Sequence, residues 1–307
     1  MTSLQGPATN TSAQSWRWAR VLANPASGAQ GAAAHLPAVI NALESIGMRA
    51  VVSFTSKERS PSEQSAEAAR EGYDLVVALG GDGTVGAVAQ GLRGTNTPLG
   101  IVPVGTYNNT ARSLGIPGRA EEAAQVLIHG RPWRIDSATA NGTPFMEVAG
   151  VGLDAQLFPV AEEIKSGIWS AVPAAIQTLA EYQPQELRID FADGTSQTLA
   201  PLLAMVSNMP YFGAGFAIAP QARPDSGQLV LSVFEGMTKL ELLAYFAAIA
   251  NGRQVAEPHI TTYQGPAFRI SPVGASAVPV QADGQVIGDT PAVFAVQPHS
   301  LTVLVPA

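Results

Sequence analysis

Along the first 130 residues, short uninterrupted apolar runs alternate with stretches in which apolar residues recur every three or four positions. The runs are "RVLA" (Arg20 to Ala23), "MRAVVSFT", "YDLVVALGG" and "PLGIVPVG"; helical spacing belongs to "AAAHLPAVINALESIG", "PSEQSAEAAREG", "TVGAVAQGLRG", "NNTARSLG" and "RAEEAAQVLIHG". A strand without polar interruption is covered on both faces, so this alternation predicts a mostly parallel, doubly wound α/β sheet. Pro61 falls in a first helical turn, where its missing N–H costs nothing, and Gly47 stops the helix before the second strand.

From about Asp136 the texture changes to strands separated by Gly, Pro, Asn and Asp turns: "WRIDSATANGTPFMEVAG", "ELRIDFADGTSQTLA", "PLLAMVSNM", "GQLVLSVFEG", "AFRISP", "VPVQADGQVIG", "AVFAVQP" and "SLTVLVP". "FADGT" is a hairpin signal. Two helices interrupt this half, near Val160 to Tyr182 and Thr238 to Asn251, the second opening on a Thr238/Glu241 capping box and closing at Gly252. The reading is a loose polar tail over 1–16, an α/β domain over 17–133 and an antiparallel sandwich or barrel over 134–307, divided between Gly130 and Asp136.

Composition narrows the function. A chain of 307 residues with 46% hydrophobic content has length for two domains with cores of their own. Charged residues are 13% and the net charge is -7, which argues against a broad electrostatic grip on nucleic acid or anionic lipid. The absence of cysteine removes disulfides, zinc–thiolate sites and thiol nucleophiles, and suits a reducing compartment. No basic-then-apolar leader opens the chain, and "LELLAYFAAIA" and "GIWSAVPAAIQTLA" are shorter than the roughly 20 residues that span a bilayer. A cytoplasmic protein is expected, peripheral to the inner face of the membrane if it meets lipid.

Candidate chemistry lies in "LVVALGGDGTVGAVAQGL", Leu75 to Leu92. Glycines at the carboxyl end of a parallel strand let main-chain N–H groups approach a phosphate, and the following helix adds its positive dipole end. Asp82 cannot hold a phosphate, because two anions repel; it makes sense with a cation between them. This loop alone also reads as a plain strand-to-helix turn. "NPASG" (Asn24 to Gly28), "FTSKE" with Thr55, and "PVGTYNN" (Pro103 to Asn109) each follow another strand of the same sheet, and four such ends form a nucleotide pocket. Neither G-x-x-x-x-G-K-[ST] nor G-x-G-x-x-G occurs. Of the three lysines, Lys57, Lys165 and Lys239, only Lys57 is near these loops, so main-chain donors and metal must carry the phosphate charge.

"NPASG", "GGDGTVGAVAQGL" and "PLGIVPVGTYNNTARSLGIP" resemble the lipid kinase catalytic domain shared by diacylglycerol kinases and sphingosine kinases, above all the soluble bacterial diacylglycerol kinases. "GVGLDA", "NMPYFGAGFAIAPQARPDSGQLVLSVF" and "VPVQADGQVIGDTPAVFAVQPHSLTVLVP" are similar to that family's later blocks, in order, so nearly the whole chain after Arg17 is covered. The resemblance implies a nucleotide-binding first domain, a β-sandwich second domain whose last strand, about 299–307, returns to the first, and ATP between them. It implies ATP contacts at Asn24, Pro25, Ala26, Ser27, Gly28, Thr55, Gly81, Asp82, Gly83, Thr84, Val85, Gly86, Ala87 and Thr106. Asp82 corresponds to the acid that works with Mg2+ on ATP, and Asp283 in "QADGQ" to the catalytic base. Asp225 in "RPDSG" corresponds to the first acid of a structural Mg2+ loop, with Ser226 in place of the second.

The function so implied is ATP-dependent phosphorylation of a hydroxyl of diacylglycerol or a similar lipid, met in transient contact with a membrane surface. Phosphoryl transfer mainly needs positioning and charge neutralisation, so a carboxylate of pKa near 4 can accept the acceptor's proton late; on the residues alone, "ADGQ" reads equally as a hairpin turn. Gly86 and Ala87 stand where the family continues with Asn and Glu, Asn109 where it often has Asp, and Gln285 where Glu usually follows the "DG" pair. Fewer acids mean weaker Mg2+ binding by the protein itself. Two other functions stay open: a nucleotide-binding member with little turnover, and a kinase of a soluble acceptor. Nothing in the pattern decides between a monomer and a homodimer. His35, His129, His259 and His299 show no ligand spacing. Asp154 suits a cleft or a turn, and the helix with Ile164, Ile168, Trp169 and Val172 suits a core or a lipid entrance.

Overall fold

The computed structural model describes residues 17–28, 31–56, 58–153, 155, 172–250 and 259–307. The tail 1–16 with Trp16, Lys57, Asp154, Lys165, Ile164, Ile168, Trp169 and Gly252 lie outside the described residues.

Strands β1 (Trp18–Ala23), β2 (Arg49–Phe54), β3 (Leu75–Gly80) and β4 (Leu99–Pro103) pair in parallel in the order β2-β1-β3-β4. Every residue of β3 and β4 is buried, as the unbroken apolar runs predict for a sheet covered on both faces. Helices α1 (Leu36–Ser45), α2 (Pro61–Arg70), α3 (Asp82–Leu92), α4 (Asn109–Ser113) and α5 (Ala120–His129) provide the cover. In α3 the inward stripe is Val85, Val88, Ala89 and Leu92, at i, i+3, i+4 and i+7. Ser60 and Glu63 form a capping box at the start of α2, with Pro61 at its first position.

Helices α2 and α3 pack unusually close. Ser65 Oγ donates to the Val88 carbonyl at 3.0 Å, and a Cβ on Gly91 would lie 2.1 Å from the Ser62 carbonyl oxygen. Since that neighbour is main chain, Gly91→Ala must push the helices apart. It is expected to cost about 1–3 kcal/mol and lower the melting temperature in calorimetry, with the nucleotide loops unaltered.

The second half is a sandwich. Its first sheet continues from β4 through β18 (Ala292–Val305), β15 (Ala267–Pro272), β8 (Leu187–Phe191) and β9 (Ser196–Leu199), with β5 (Arg131–Ala140) on β18 and β6 (Thr143–Phe145) on β5. Its second sheet runs β14-β13-β10-β7-β16-β17, from β7 (Val148–Gly152), β10 (Leu203–Ser207), β13 (Leu229–Phe234), β14 (Ile260–Gly265), β16 (Pro279–Ala282) and β17 (Gln285–Asp289). Between β10 and β13 the strands β11 (Tyr211–Phe212) and β12 (Phe216–Ala217) pair as a separate short hairpin. Ala138, Ile189, Phe268 and Phe294 of the first sheet meet Val151, Val206, Leu231 and Val280 of the second in one core. "FADGT" is the turn between β8 and β9, as expected. The outer face of the second sheet carries α6 (Val172–Glu181) and α7 (Lys239–Ala250), where Phe234, Tyr245 and Phe246 pack ring against ring. Thr238 and Glu241 make the expected capping box.

No loop linker joins the two halves. β5 is continuous from Arg131 to Ala140, and β18 runs beside it, pairing with β15 at its first residues and in parallel with Leu99 of β4 through Val303. Where the register shifts between Gln297 and Leu301, fully buried Asp136 accepts main-chain N–H bonds from His299 (2.8 Å) and Gly227 (2.7 Å). A buried carboxylate so satisfied pins the bulge.

Candidate active site

The order β2-β1-β3-β4 places four carboxyl-terminal strand ends side by side, and the chain reverses its direction of winding between β1 and β3. Such a switch point leaves a crevice above the sheet. The loops are tied across it. The Asn24 N–H donates to the Leu79 carbonyl (3.1 Å), Asn24 Nδ2 donates to Thr84 Oγ1 (3.1 Å), and the Thr55 N–H donates to the Ala23 carbonyl (3.0 Å). A Cβ on Gly105 would fall 2.6 Å from the Gly81 Cα, so the β3 and β4 loops touch backbone to backbone, and glycine at both positions permits it. Gly28, at φ 77°, leaves only 2.3 Å between its absent Cβ and the Val104 carbonyl oxygen.

One sequence expectation shifts. The helix begins at Asp82 rather than Thr84, because Gly81 is extended and serves as the N-cap. Asp82 therefore stands in the first helical turn, where the dipole favours an anion. Thr84 and Val85 turn inward, 4% and 2% exposed, and both of their N–H groups donate to the Gly81 carbonyl (2.9 and 3.0 Å). Pro25, Ala26, Gly28 and Thr106 are exposed along the rim, and Thr55 is half-buried.

α4 closes the far end. Asn108, in the left-handed region, accepts the Gly105 N–H at 2.9 Å and fixes the "PVGTYNN" turn. The Thr110 N–H then donates to Asp82 Oδ1 at 3.1 Å. Asn109, 2% exposed, donates through Nδ2 to the Gly213 carbonyl (2.9 Å) and to Glu147 Oε2 (3.3 Å). Thr110 Oγ1 donates to Glu147 Oε1 at 2.9 Å.

Glu147 is the functional candidate that sequence reasoning passed over. It is 6% exposed on the bend between β6 and β7, and Thr110, which bonds Asp82 through its N–H, bonds the Glu147 carboxyl through its Oγ1. Burial, then the charges of Asp82 and Asp283, hold its pKa well above the usual carboxylate range. The signal was an acid inside the apolar run "PFMEVAG", where an unpaired charge has no place.

Asp283 comes from the other sheet. "ADGQ" is indeed the turn between β16 and β17, with Asp283 at φ 44°. The residue is open to solvent on its outer side, while its carboxylate turns inward and accepts the N–H groups of Met146 (2.7 Å, to Oδ2), Glu147 (2.9 Å) and Val148 (3.1 Å, both to Oδ1). Crowding by protein raises its pKa to about 6; the three N–H bonds oppose that rise, and the charge of Asp82 adds to it. A Cβ on Gly86 would lie 4.0 Å from Asp283 Oδ2, and Gly86, Gln90, Met146 and Asp283 line one cavity of about 30 Å³. Asp82, Glu147 and Asp283 thus form one electrostatic group drawn from both halves.

Asp225 stays apart from this group in its hydrogen bonds. It lies on the loop that sends the Gly227 N–H to Asp136, and its Oδ1 is 3.4 Å from Arg223 Nη2. Gln285 is exposed. No three His, Asp or Glu side chains gather in metal-ligating geometry among the described residues. The cleft's donors are nonetheless hard oxygens: the Asp82 and Glu147 carboxyls, both bonded by Thr110, and the buried, unpartnered Asn109 Oδ1. Mg2+ takes one or two carboxylates and keeps waters for the rest, so these residues fit it.

A parallel α/β sheet with a phosphate-type crevice, facing a β-sandwich that supplies acids, is the architecture of a nucleotide-dependent kinase. Residues 18–140 match the diacylglycerol kinase catalytic domain, and residues 147–305 match the YegS C-terminal NAD kinase beta sandwich-like domain. The chain belongs to the diacylglycerol kinase family, phosphotransferases with an alcohol acceptor. A diacylglycerol kinase of Staphylococcus aureus (strain bovine RF122 / ET3-1) is 30% identical over 287 residues, 90% of this chain and 88% of that one. One from Staphylococcus haemolyticus is 29% identical over 90% of this chain and 84% of its own. The fold matches that of a crystallised diacylglycerol kinase from Bacillus anthracis at TM-score 0.74 and 21% identity, covering 94% of this chain and 97% of that one.

Proposed function

We propose that this protein transfers the γ-phosphoryl group of ATP, bound with Mg2+, to a hydroxyl of diacylglycerol or a similar lipid. The observation that carries the reading is the meeting of Asp82, at the helix end of the nucleotide crevice, with Glu147 and Asp283 from the opposite half. ATP phosphates beside three acids would be repelled without a divalent cation, which when bound neutralises phosphate oxygens and polarises the transferring group. The strand-end loops offer main-chain N–H groups for the remaining phosphate charge. Asp82 orients the cation side, and Asp283, ionised above about pH 6, accepts the acceptor hydroxyl's proton. No helix among the described residues is long and apolar enough to cross a membrane. Contact with lipid would be brief and apolar, and Leu240 and Leu243 on α7, 76% and 46% exposed, suit it.

The test is mass spectrometry of lipids incubated with the purified full chain, ATP and Mg2+ in vesicles carrying diacylglycerol, monoacylglycerol, ceramide or sphingosine. A phosphorylated lipid that disappears when EDTA removes the metal is expected. ATP binding with no phosphorylated lipid would sink the reading and favour a member with little turnover, and a product on a soluble sugar or NAD would move the acceptor class.

A further inference from the structure

We propose that Glu147 is a second cation-holding carboxylate of this cleft, paired with Asp82 across the two halves. The inference rests on the kinase reading above for the identity of the cation, a divalent metal carried by a nucleotide.

The strand-end loops that form the crevice contain two acids, the exposed Glu58 and Asp82, and of these Asp82 accepts the Thr110 N–H at the cleft. A second negative ligand there comes from outside them, from Glu147. Its main chain is pinned by Asp283, which accepts the N–H groups of Met146, Glu147 and Val148. Its side chain crosses to α4, where Thr110 Oγ1 occupies one position on Oε1 and Asn109 Nδ2 one on Oε2. A carboxylate has about four lone-pair positions, so each oxygen keeps one.

Two further observations separate a cation site from a hydrogen-bonded latch. Thr110 binds both carboxyls, its N–H on Asp82 and its Oγ1 on Glu147, and among the described residues neither acid is paired with Lys or Arg. Packing two acids together serves stability poorly, because like charges oppose each other in a place poor in water. Independently, Asn109 Oδ1 is buried without a donor, on the same amide whose nitrogen reaches Glu147. Two carboxyls and one orphan amide oxygen form a hard donor set lacking only a cation.

The test is a titration of Mn2+ into the full chain with ADP, followed by electron paramagnetic resonance. Glu147→Gln keeps the shape and removes the charge. It is expected to weaken Mn2+ binding by about tenfold or more with unchanged circular dichroism and melting temperature, while Glu147→Asp recovers part of the affinity. Turnover of Glu147→Gln should rise again at high Mg2+. Wild-type Mn2+ affinity in Glu147→Gln, alongside a loss in Asp82→Asn, would overturn the proposal and leave Glu147 a latch. Should Glu147→Gln not fold, Glu147→Asp decides: reduced affinity supports the proposal and unchanged affinity overturns it. Because Mn2+ and ADP need no acceptor, failure to phosphorylate any lipid would refute the lipid-kinase reading while this measurement still stands or falls by itself.

Discussion

Asp82→Asn is expected to reduce turnover by roughly a hundredfold or more while leaving the fold intact. The substitution is isosteric and retains an Oδ1 to accept the Thr110 N–H, so the contact between α3 and α4 survives. What disappears is the negative charge that the loop after β3 places at the cleft. A cation bridging ATP to the protein then loses a ligand, and the triphosphate loses its register against the acceptor. Initial rates at increasing Mg2+ check this: the variant should stay far below wild type at saturating ATP. Rates near those of wild type would show that the metal is organised elsewhere.

Removal of Asp283 has the second large effect, and it must be separated from damage to the fold. Asp283→Ala deprives three main-chain N–H groups of their acceptor, about 1–3 kcal/mol for each group left unsatisfied, so part of any lost activity would be structural. Asp283→Asn keeps one acceptor oxygen and removes the base. It is expected to lower kcat by about 10²–10⁴, with the melting temperature falling less than in the alanine variant. The pH profile gives a second reading. A base must be ionised to act, so wild-type kcat/KM should climb as pH rises through about 6 and then level off, and that limb should vanish in Asp283→Asn. Stability runs the other way. A carboxyl whose folded pKa lies above its unfolded value of about 3.9 stabilises the fold fully below that value, and the contribution is lost as pH rises toward about 6. The ligand-free protein should therefore lose part of its stability over this interval, as thermal melts at stepped pH would reveal. An activity profile flat from pH 5 to 8 would remove Asp283 as the base.

Local signals account for much of this molecule. The apolar runs of β3 and β4, the alternation with helices, the Ser60 and Thr238 capping boxes and the β8–β9 turn all follow from short-range rules, because burial on two faces, unsatisfied helix ends and turn chemistry act within a few residues. The glycines of the crevice were legible for the same reason, although the Gly81 N-cap moved the helix start to Asp82.

The site as a whole was not local. Whether Asp283 is only a turn residue or faces the nucleotide loops depends on β16 pairing with β7, which brings the turn against Met146 to Val148. Glu147 looked like one polar letter in a strand until α4 was laid against it. The sequence by itself determined the two layers and the phosphate-type loops, since those rest on contacts between neighbours along the chain. Only the tertiary structure decided which acids meet, because a carboxylate's charge acts through space on whatever the sheet order brings close, and residues 82, 147 and 283 become neighbours where β5 and β18 join the two halves and α4 packs against Glu147.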